Sequence, residues 1–109
     1  SKGLTTIITA VMAERALYLG GRHLHYLFSI PADNTKNVHK IIDQCIRGLN
    51  NNPERLYLLR IADVILIDEM GYMSANLLNV IDTVLRKIRG KSSFMGGVLL
   101  IGTICYQKV

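Results

Sequence analysis

Apolar residues along the chain follow two spacings, one typical of buried strands and one typical of helices. Three short runs are almost continuously apolar or β-branched, which predicts buried strands at residues 4–9, at Val64–Asp68 and within the segment GGVLLIG at 96–102. Apolar residues recur at helical spacing at residues 12–19 and 38–48. This alternation of strands with helices predicts an α/β fold, in which a parallel sheet is flanked by helices on both faces.

The two later helices carry start and stop signals in addition to their apolar stripes. Asn52 precedes Pro53, an order of residues that is typical of a helix N-terminus. Ser74 begins the clearest helix, which ends at Gly90 after a basic last turn that complements the helix dipole.

Composition narrows the class of protein without identifying a function. The chain has 109 residues, 50% of them hydrophobic, which fits one globular domain and is small for a complete nucleotide-driven motor. The net charge of +5 suits an anionic partner such as nucleic acid, and it equally suits solubility alone. Cys45 and Cys105 lack zinc-ribbon spacing and predict reduced thiols in an intracellular protein. No apolar run approaches the length of a membrane span, so no membrane partner is expected.

The adjacent carboxylates Asp68 and Glu69, at the end of the second predicted strand, are the strongest candidates for chemistry. A strand-terminal Asp can hold Mg²⁺, because this hard cation prefers oxygen ligands and the carboxyl end of a parallel strand opens into a crevice. Glu69 would point to the other side of the strand, where it could accept a proton from a water that attacks a phosphoanhydride. The alternative is structural: Asp68 caps the following turn and Glu69 is solvated.

Nucleotide-hydrolysis sites of this type also need a phosphate-binding loop, and the sequence contains none. Gly90-Lys91-Ser92 resembles the end of the motif Gly-x-x-x-x-Gly-Lys-Ser/Thr, but the position five residues before Gly90 is Leu85 rather than Gly. The tripeptide also follows a predicted helix, whereas a phosphate loop precedes the N-terminus of one. We therefore interpret it as a basic surface turn.

The order of these motifs resembles a known family. The strand that ends in Thr9-Ala10, the turn Gly20-Gly21-x-x-x-His25, VILIDEMGYM and GGVLLIG are together similar to the first RecA-like domain of the Pif family of superfamily-one DNA helicases, including those of Helitron-type transposons. The resemblance covers residues 4–102. It implies an incomplete RecA-like P-loop NTPase domain over residues 1–109, which runs from after the phosphate loop to the strand of the third motif.

The resemblance also implies roles for individual residues in an intact enzyme that uses ATP and Mg²⁺. Asp68 would hold Mg²⁺ through water, and Glu69 would orient or deprotonate the attacking water. Gln107 would sense the terminal phosphate, although it is one residue out of register and no Asp follows Gly102 as it usually does in the family. Five residues would lie near single-stranded DNA: Thr9, Gly20, Gly21, Arg22 and His25.

Other features have structural interpretations beside the functional ones. Val11-Met12-Ala13 replaces the Ser/Pro-Thr-Gly turn that contacts nucleic acid in the family. His23 and His25 have the spacing of a metal pair, but no third ligand has a place, which favours a structural role or one near DNA. We interpret Phe28 as a core residue and residues 86–91 as a solvated helix end.

These features together predict part of an ATP-dependent DNA helicase that acts on single-stranded and duplex DNA in recombination, repair or transposition. Its location would be the nucleus, with the mitochondrion as an alternative. The phosphate-loop segment and a second RecA-like domain are expected outside this chain, so the chain alone should be inactive and should expose apolar sheet surface. The alternative is a non-catalytic module that binds nucleic acid or a partner; the turn Gly20-Gly21-x-x-x-His25 argues against a third hypothesis, another Asp-Glu ATPase of the phosphate-loop type.

Overall fold

The computed structural model describes residues 3–31 and 37–103. Strands and helices alternate along much of this part of the chain, as the apolar spacing predicts. The strands are β1 (Thr6–Ala10), β2 (Arg22–His23), β3 (Val64–Asp68) and β4 (Leu99–Gly102). The helices are α1 (Ala13–Leu19), α2 (Leu24–Phe28), α3 (Val38–Asn50), α4 (Pro53–Ile61) and α5 (Ala75–Arg89), with short 3₁₀ turns at Met70–Tyr72 and Phe94–Gly97.

The four strands form one sheet in the order β2-β1-β3-β4, and every neighbouring pair is parallel. Ala10 pairs with Asp68, and Ile67 pairs with Gly102, so the carboxyl ends of β1, β3 and β4 meet at one edge of the sheet. The predicted parallel α/β fold is confirmed. The two-residue strand β2 is an addition, because so short a strand leaves no periodic signal in the sequence.

The two faces of the sheet differ in how well they are covered. Ile7, Ile65 and Ile67 belong to the core that the sheet shares with α2, α3, α4 and α5. Because side chains alternate along a strand, their neighbours point to the opposite face. There Ile8 and Ile101 keep 40% and 42% of their surface exposed. Within the described residues one face therefore exposes apolar side chains, as predicted for part of a larger domain, and the prediction that helices cover both faces is wrong only for this exposed surface.

Local signals account for most helix ends. The Asn52 side chain accepts a hydrogen bond from the Arg55 N–H, and the Ser74 side chain accepts one from the Leu77 N–H, so both act as N-caps. Gly90 ends α5 in the left-handed conformation, with φ of 64°. The sequence Gly90-Lys91-Ser92 thus follows a helix C-terminus, as expected for a surface turn rather than a phosphate loop.

The glycine pair between α1 and β2 has a structural explanation of its own. Gly20 ends α1 with φ of 70°, a conformation that other residues adopt only at a cost. At Gly21 a Cβ atom would lie 2.5 Å from the main-chain oxygen of Ile8, so only glycine lets β2 approach β1 this closely. This explanation needs no contact with DNA.

The basic end of α5 is only partly solvated. Arg89 donates hydrogen bonds to the main-chain oxygens of Leu59, Arg60 and Ala62 at 2.7, 2.9 and 3.1 Å, and to that of Gly96 at 2.8 Å. It therefore joins α5 to the end of α4 and to the turn before β4. The interpretation of residues 86–91 as a solvated helix end is wrong for Arg89, whereas Lys87 and Lys91 are exposed.

Within the described residues, no helix has both the length and the apolar character needed to cross a membrane.

Candidate functional site

Asp68 lies at the edge of the sheet where the strands end, and its side chain is only 11% exposed. One carboxylate oxygen, Oδ2, accepts a hydrogen bond from Nε of Arg15 at 2.9 Å. The other, Oδ1, accepts one from the hydroxyl of Thr103 at 2.9 Å. Both oxygens of this carboxylate therefore face donors from neighbouring elements, which is the usual condition for a buried charge.

Thr103 directly follows β4 and connects the two acidic residues. Its hydroxyl oxygen also accepts a hydrogen bond from the main-chain N–H of Glu69 at 2.9 Å. Its own main chain bonds to Ile67 and Met70 at 3.0 and 2.8 Å, which extends the β3–β4 pairing beyond the last strand residue. Thr103 stands where the resembling family usually has Asp, and its neutral hydroxyl supports Asp68 without adding a second negative charge.

Glu69 adopts a left-handed backbone conformation, with φ of 58°. Such a conformation is uncommon for a residue other than glycine and costs about 1–2 kcal/mol. It turns the chain out of the strand, and Oε1 of Glu69 lies 3.6 Å from the same Arg15 Nε that contacts Asp68. The prediction that Glu69 points to the other side of the strand is therefore wrong, because the strand alternation ends at Asp68 and the two carboxylates converge.

The structure does not agree with the structural alternative, in which Asp68 caps the following turn and Glu69 is solvated. Asp68 is buried, and its hydrogen bonds run to Arg15 and Thr103. The Glu69 side chain is 15% exposed, so it is largely covered rather than fully solvated. A close pair of carboxylates at the end of a buried strand remains the strongest candidate site.

Arg15 lowers the pKa of Asp68 below its ordinary value of 3.8, chiefly through its hydrogen bond. Burial opposes this shift, and the hydrogen bond from Thr103 adds to it. Because the folded pKa is depressed, the stability that this carboxylate contributes is present above about pH 4 and is lost as the pH falls through the folded pKa.

We expect Arg15→Ala to raise the pKa of Asp68, because the largest favourable contact of the ionised form is removed. The measurement is a pH titration of the Asp68 carboxyl carbon by NMR. Lys87→Ala removes an exposed lysine from α5 and serves as the control, in which the titration should match that of the unmodified chain. An unchanged Asp68 titration in Arg15→Ala would show that the ion pair does not form in solution.

The residues predicted to lie near DNA divide into buried and accessible ones. Thr9 is fully buried, and its hydroxyl donates to the main-chain oxygen of Leu66 at 2.9 Å. Arg22 and His25 are half-buried at the same edge of the sheet. Phe28 is fully buried in the core, as predicted. Contact with DNA stays a prediction for all of the candidates, and the structure gives Thr9 a role inside the sheet.

A groove with a volume of about 360 Å³ is lined by His25, and its wall also includes Val11, Tyr72 and Ser74. The ring of His25 stacks on that of His23, with centroids 5.2 Å apart. Nδ1 of His25 is buried and has no hydrogen-bond partner among the residues that the structure describes. Burial, and then the neighbouring His23, lowers the pKa of His25 below its ordinary value of 6.5, so the ring is held neutral.

The other candidate residues, which include the two stacked histidines and Cys45, form no metal site within the described residues. Across residues 3–31 and 37–103, no group of three or more His, Cys, Asp or Glu side chains is placed to hold an ion. Cys45 is buried in the core, and burial raises the pKa of its thiol to about 11, which makes it unreactive. Gln107, the predicted phosphate sensor, and Cys105 lie outside the described residues.

Two of the contacts at this site could not be predicted from the sequence. Arg15 lies 53 residues before Asp68, and nothing in the chain pattern links them. Thr103 offers one signal only, its place directly after a buried strand beside the one that ends in Asp68.

Known proteins are similar to this chain in sequence and in fold. The family described as PIF1-like helicase matches residues 1–107. The ATP-dependent DNA helicase RRM3 of Saccharomyces cerevisiae is 31% identical over 96 residues, which make up 88% of this chain and 13% of that protein. The chain therefore spans a small part of this relative.

Solved helicase structures contain a closely similar fold. The Pif1 helicase of Candida albicans matches with a TM-score of 0.76 and 23% identity, over 89% of this chain and 21% of that chain. Bacteroides Pif1 in complex with ADP-AlF3 and single-stranded DNA matches with a TM-score of 0.71 and 26% identity, over 94% of this chain and 22% of that chain. The parallel sheet with its flanking helices is a RecA-like α/β fold, and the chain belongs to the PIF1-like helicase family.

Proposed function

We propose that this chain is part of the first RecA-like domain of an ATP-dependent DNA helicase, in which Asp68 and Glu69 carry the hydrolysis chemistry. The observation that carries the proposal is the convergence of these two carboxylates at the carboxyl end of a parallel sheet, in a member of a helicase family. In α/β folds ligands bind at that edge of the sheet, where loops from several strands meet.

The residues present fit a magnesium ion. Asp68 and Glu69 supply carboxylate oxygens, and the Thr103 hydroxyl, which donates to Asp68 and accepts from the Glu69 N–H, orients them. Mg²⁺ is usually bound by one or two carboxylates together with water and substrate phosphates, so a site with few protein ligands is adequate. When bound, the ion would neutralise negative charge on the phosphates of ATP. Asp68 would hold it through water, and Thr103 would keep the Asp68 carboxylate in place.

Glu69 would orient or deprotonate the attacking water. A general base must lie within hydrogen-bond reach of the proton that it accepts. Its left-handed backbone brings its carboxylate to the same side as that of Asp68, where a water near the terminal phosphate could be reached. Backbone strain of this kind is often found where a side chain must be held in a particular direction.

Single-stranded DNA would lie along the groove that His25 and Tyr72 line. Arg22 offers a positive charge for phosphates, and His25 and Tyr72 offer rings on which bases could stack. Bacteroides Pif1 has been solved bound to single-stranded DNA, and a further structure describes DNA unwinding at forked duplex DNA by two coordinating Pif1 helicases. We infer that this chain has partners of the same kind, in nuclear or mitochondrial DNA.

The proposal places residues 1–109 between a phosphate loop and the rest of the helicase. The loop would precede the chain, and a second RecA-like domain would close the ATP cleft. Opening and closing of the two domains would move the enzyme along one strand, in recombination, repair or transposition. The 109 residues alone would then bind ATP weakly and would not hydrolyse it.

Sequencing the transcript on both sides of this segment tests this placement. We expect a Gly-x-x-x-x-Gly-Lys-Ser/Thr motif shortly before Ser1 and a second RecA-like domain downstream. Stop codons or unrelated sequence on both sides would contradict the proposal. They would favour instead a non-catalytic module that retains the helicase fold and has lost the motor.

A further inference from the structure

Arg15 places a positive charge at the point where the proposed site would receive a cation. Its Nε lies 2.9 Å from Oδ2 of Asp68 and 3.6 Å from Oε1 of Glu69. The Arg15 side chain is 41% exposed, whereas those of Asp68 and Glu69 are 11% and 15% exposed. The guanidinium group is thus the solvent-exposed partner of two largely covered carboxylates.

Neighbouring groups hold Arg15 and Asp68 in this arrangement. The guanidinium carbon of Arg15 lies 5.4 Å from the centre of the Tyr18 ring, one turn further along α1, which is within the range of a cation–π contact. On the other side, the Thr103 hydroxyl occupies Oδ1 of Asp68. A cation that approaches Asp68 at Oδ2, directly or through a bound water, therefore competes with the Arg15 N–H for this oxygen.

The charges at the site decide how well a divalent cation competes with the Arg15 guanidinium for Asp68. Two carboxylates and one guanidinium leave a net charge of about −1 if all three are ionised at neutral pH. The guanidinium repels an incoming divalent cation, since unit charges 4 Å apart still interact by about 1 kcal/mol in water. Only the Arg15 side of the ion pair is exposed, at 41%, so its long side chain can move into solvent without being buried elsewhere.

We propose that Arg15 is a built-in counter-cation of the Asp68–Glu69 pair. It holds the two carboxylates together while no divalent cation is bound, and it competes with a divalent cation for the Asp68 carboxylate. Arg15 is therefore a positioning residue that sets the cation affinity of the site. This inference rests on the proposed function, because it takes Asp68 to be the cation ligand.

The test is a titration of the 109-residue chain with Mn²⁺, in which free Mn²⁺ is measured by electron paramagnetic resonance. We expect Arg15→Gln, which removes the charge, to bind Mn²⁺ at least about fivefold more tightly than the unmodified chain. Arg15→Lys keeps the charge, and Lys87→Gln removes one from the exposed end of α5. Arg15→Lys should bind like the unmodified chain because the positive charge stays at the site. Lys87→Gln should also do so, because distant exposed charges are screened.

Asp68→Asn separates failure of this inference from failure of the proposed function. If Asp68→Asn weakens Mn²⁺ binding but Arg15→Gln behaves like Lys87→Gln, Asp68 is a cation ligand and the role of Arg15 is wrong. If Asp68→Asn has no effect on Mn²⁺ binding, the proposed cation site is wrong, and the inference falls with it.

A second measurement needs no variant and so does not depend on how well a variant folds. In the unmodified chain, the Nε–H signal of Arg15 reports its hydrogen bond to Asp68. We expect Mg²⁺ to shift this signal and to speed its exchange with water over the same concentration range in which it shifts the Asp68 carboxyl carbon. An Arg15 signal that stays unchanged while the Asp68 carbon shifts would overturn the inference.

Discussion

Glu69→Gln in the full-length gene product is expected to lower DNA-stimulated ATP hydrolysis by about 10²–10⁴-fold, the usual contribution of a general base. The amide has almost the same shape as the carboxylate but cannot accept a proton from water. Nucleotide binding should remain, because Glu69 acts on the water and Asp68 is left in place. The measurements are steady-state ATP hydrolysis with single-stranded DNA and equilibrium binding of a fluorescent ATP analogue.

Glu54→Gln is the matched control for this variant. Glu54 lies in the first turn of α4 and is exposed, so the same chemical change there should leave hydrolysis unchanged. If Glu69→Gln hydrolyses ATP as fast as Glu54→Gln, Glu69 is not the general base. In that case its left-handed backbone has only a structural role.

Arg89→Ala is expected to lower the free energy of unfolding of the chain by about 1.5–3 kcal/mol, the range for hydrogen bonds to a charged group. The substitution removes the hydrogen bonds that Arg89 donates to the main-chain oxygens of Leu59, Ala62 and Gly96. These oxygens belong to the end of α4, the residue after it and the turn before β4. The measurement is urea-induced unfolding followed by circular dichroism.

Lys87→Ala tests whether the effect comes from these contacts or from charge at the helix end. Lys87 is exposed in the same turn of α5, so its loss should change the unfolding free energy by less than about 0.5 kcal/mol. Arg89→Lys should recover only part of the loss, because an ammonium group cannot reach several carbonyls in the fixed fork of a guanidinium. Equal stabilities of Arg89→Ala and Lys87→Ala would show that the carbonyl contacts contribute nothing.

The sequence predicts best the elements that local chemistry specifies. The strand at Val64–Asp68 has the bounds that its apolar run predicts, because a strand buried on both sides needs continuous apolar residues. The helix that follows Ser74 starts and stops at the residues whose side chain or left-handed backbone caps it. The parallel pairing follows from the alternation of strands with helices.

Contacts between distant residues are what sequence patterns do not predict. Arg15 reaches Asp68, and Arg89 reaches the end of α4, only after the chain has folded, and neither residue stands out from other surface cations in the sequence. The convergence of Glu69 with Asp68 depends on one left-handed backbone conformation, which strand periodicity does not reveal. The exposed apolar sheet surface is predicted from the absence of a phosphate-loop strand, but the sequence pattern does not show which strand residues stay exposed.

The most direct test of helicase function is strand separation by the full-length gene product. A forked DNA duplex with a fluorophore and a quencher on opposite strands reports unwinding as fluorescence rises. We predict a rise that requires both ATP and Mg²⁺ and that is lost in Glu69→Gln. Strand separation that proceeds equally without ATP, or equally well in Glu69→Gln, would contradict the assignment of hydrolysis to the Asp68–Glu69 pair.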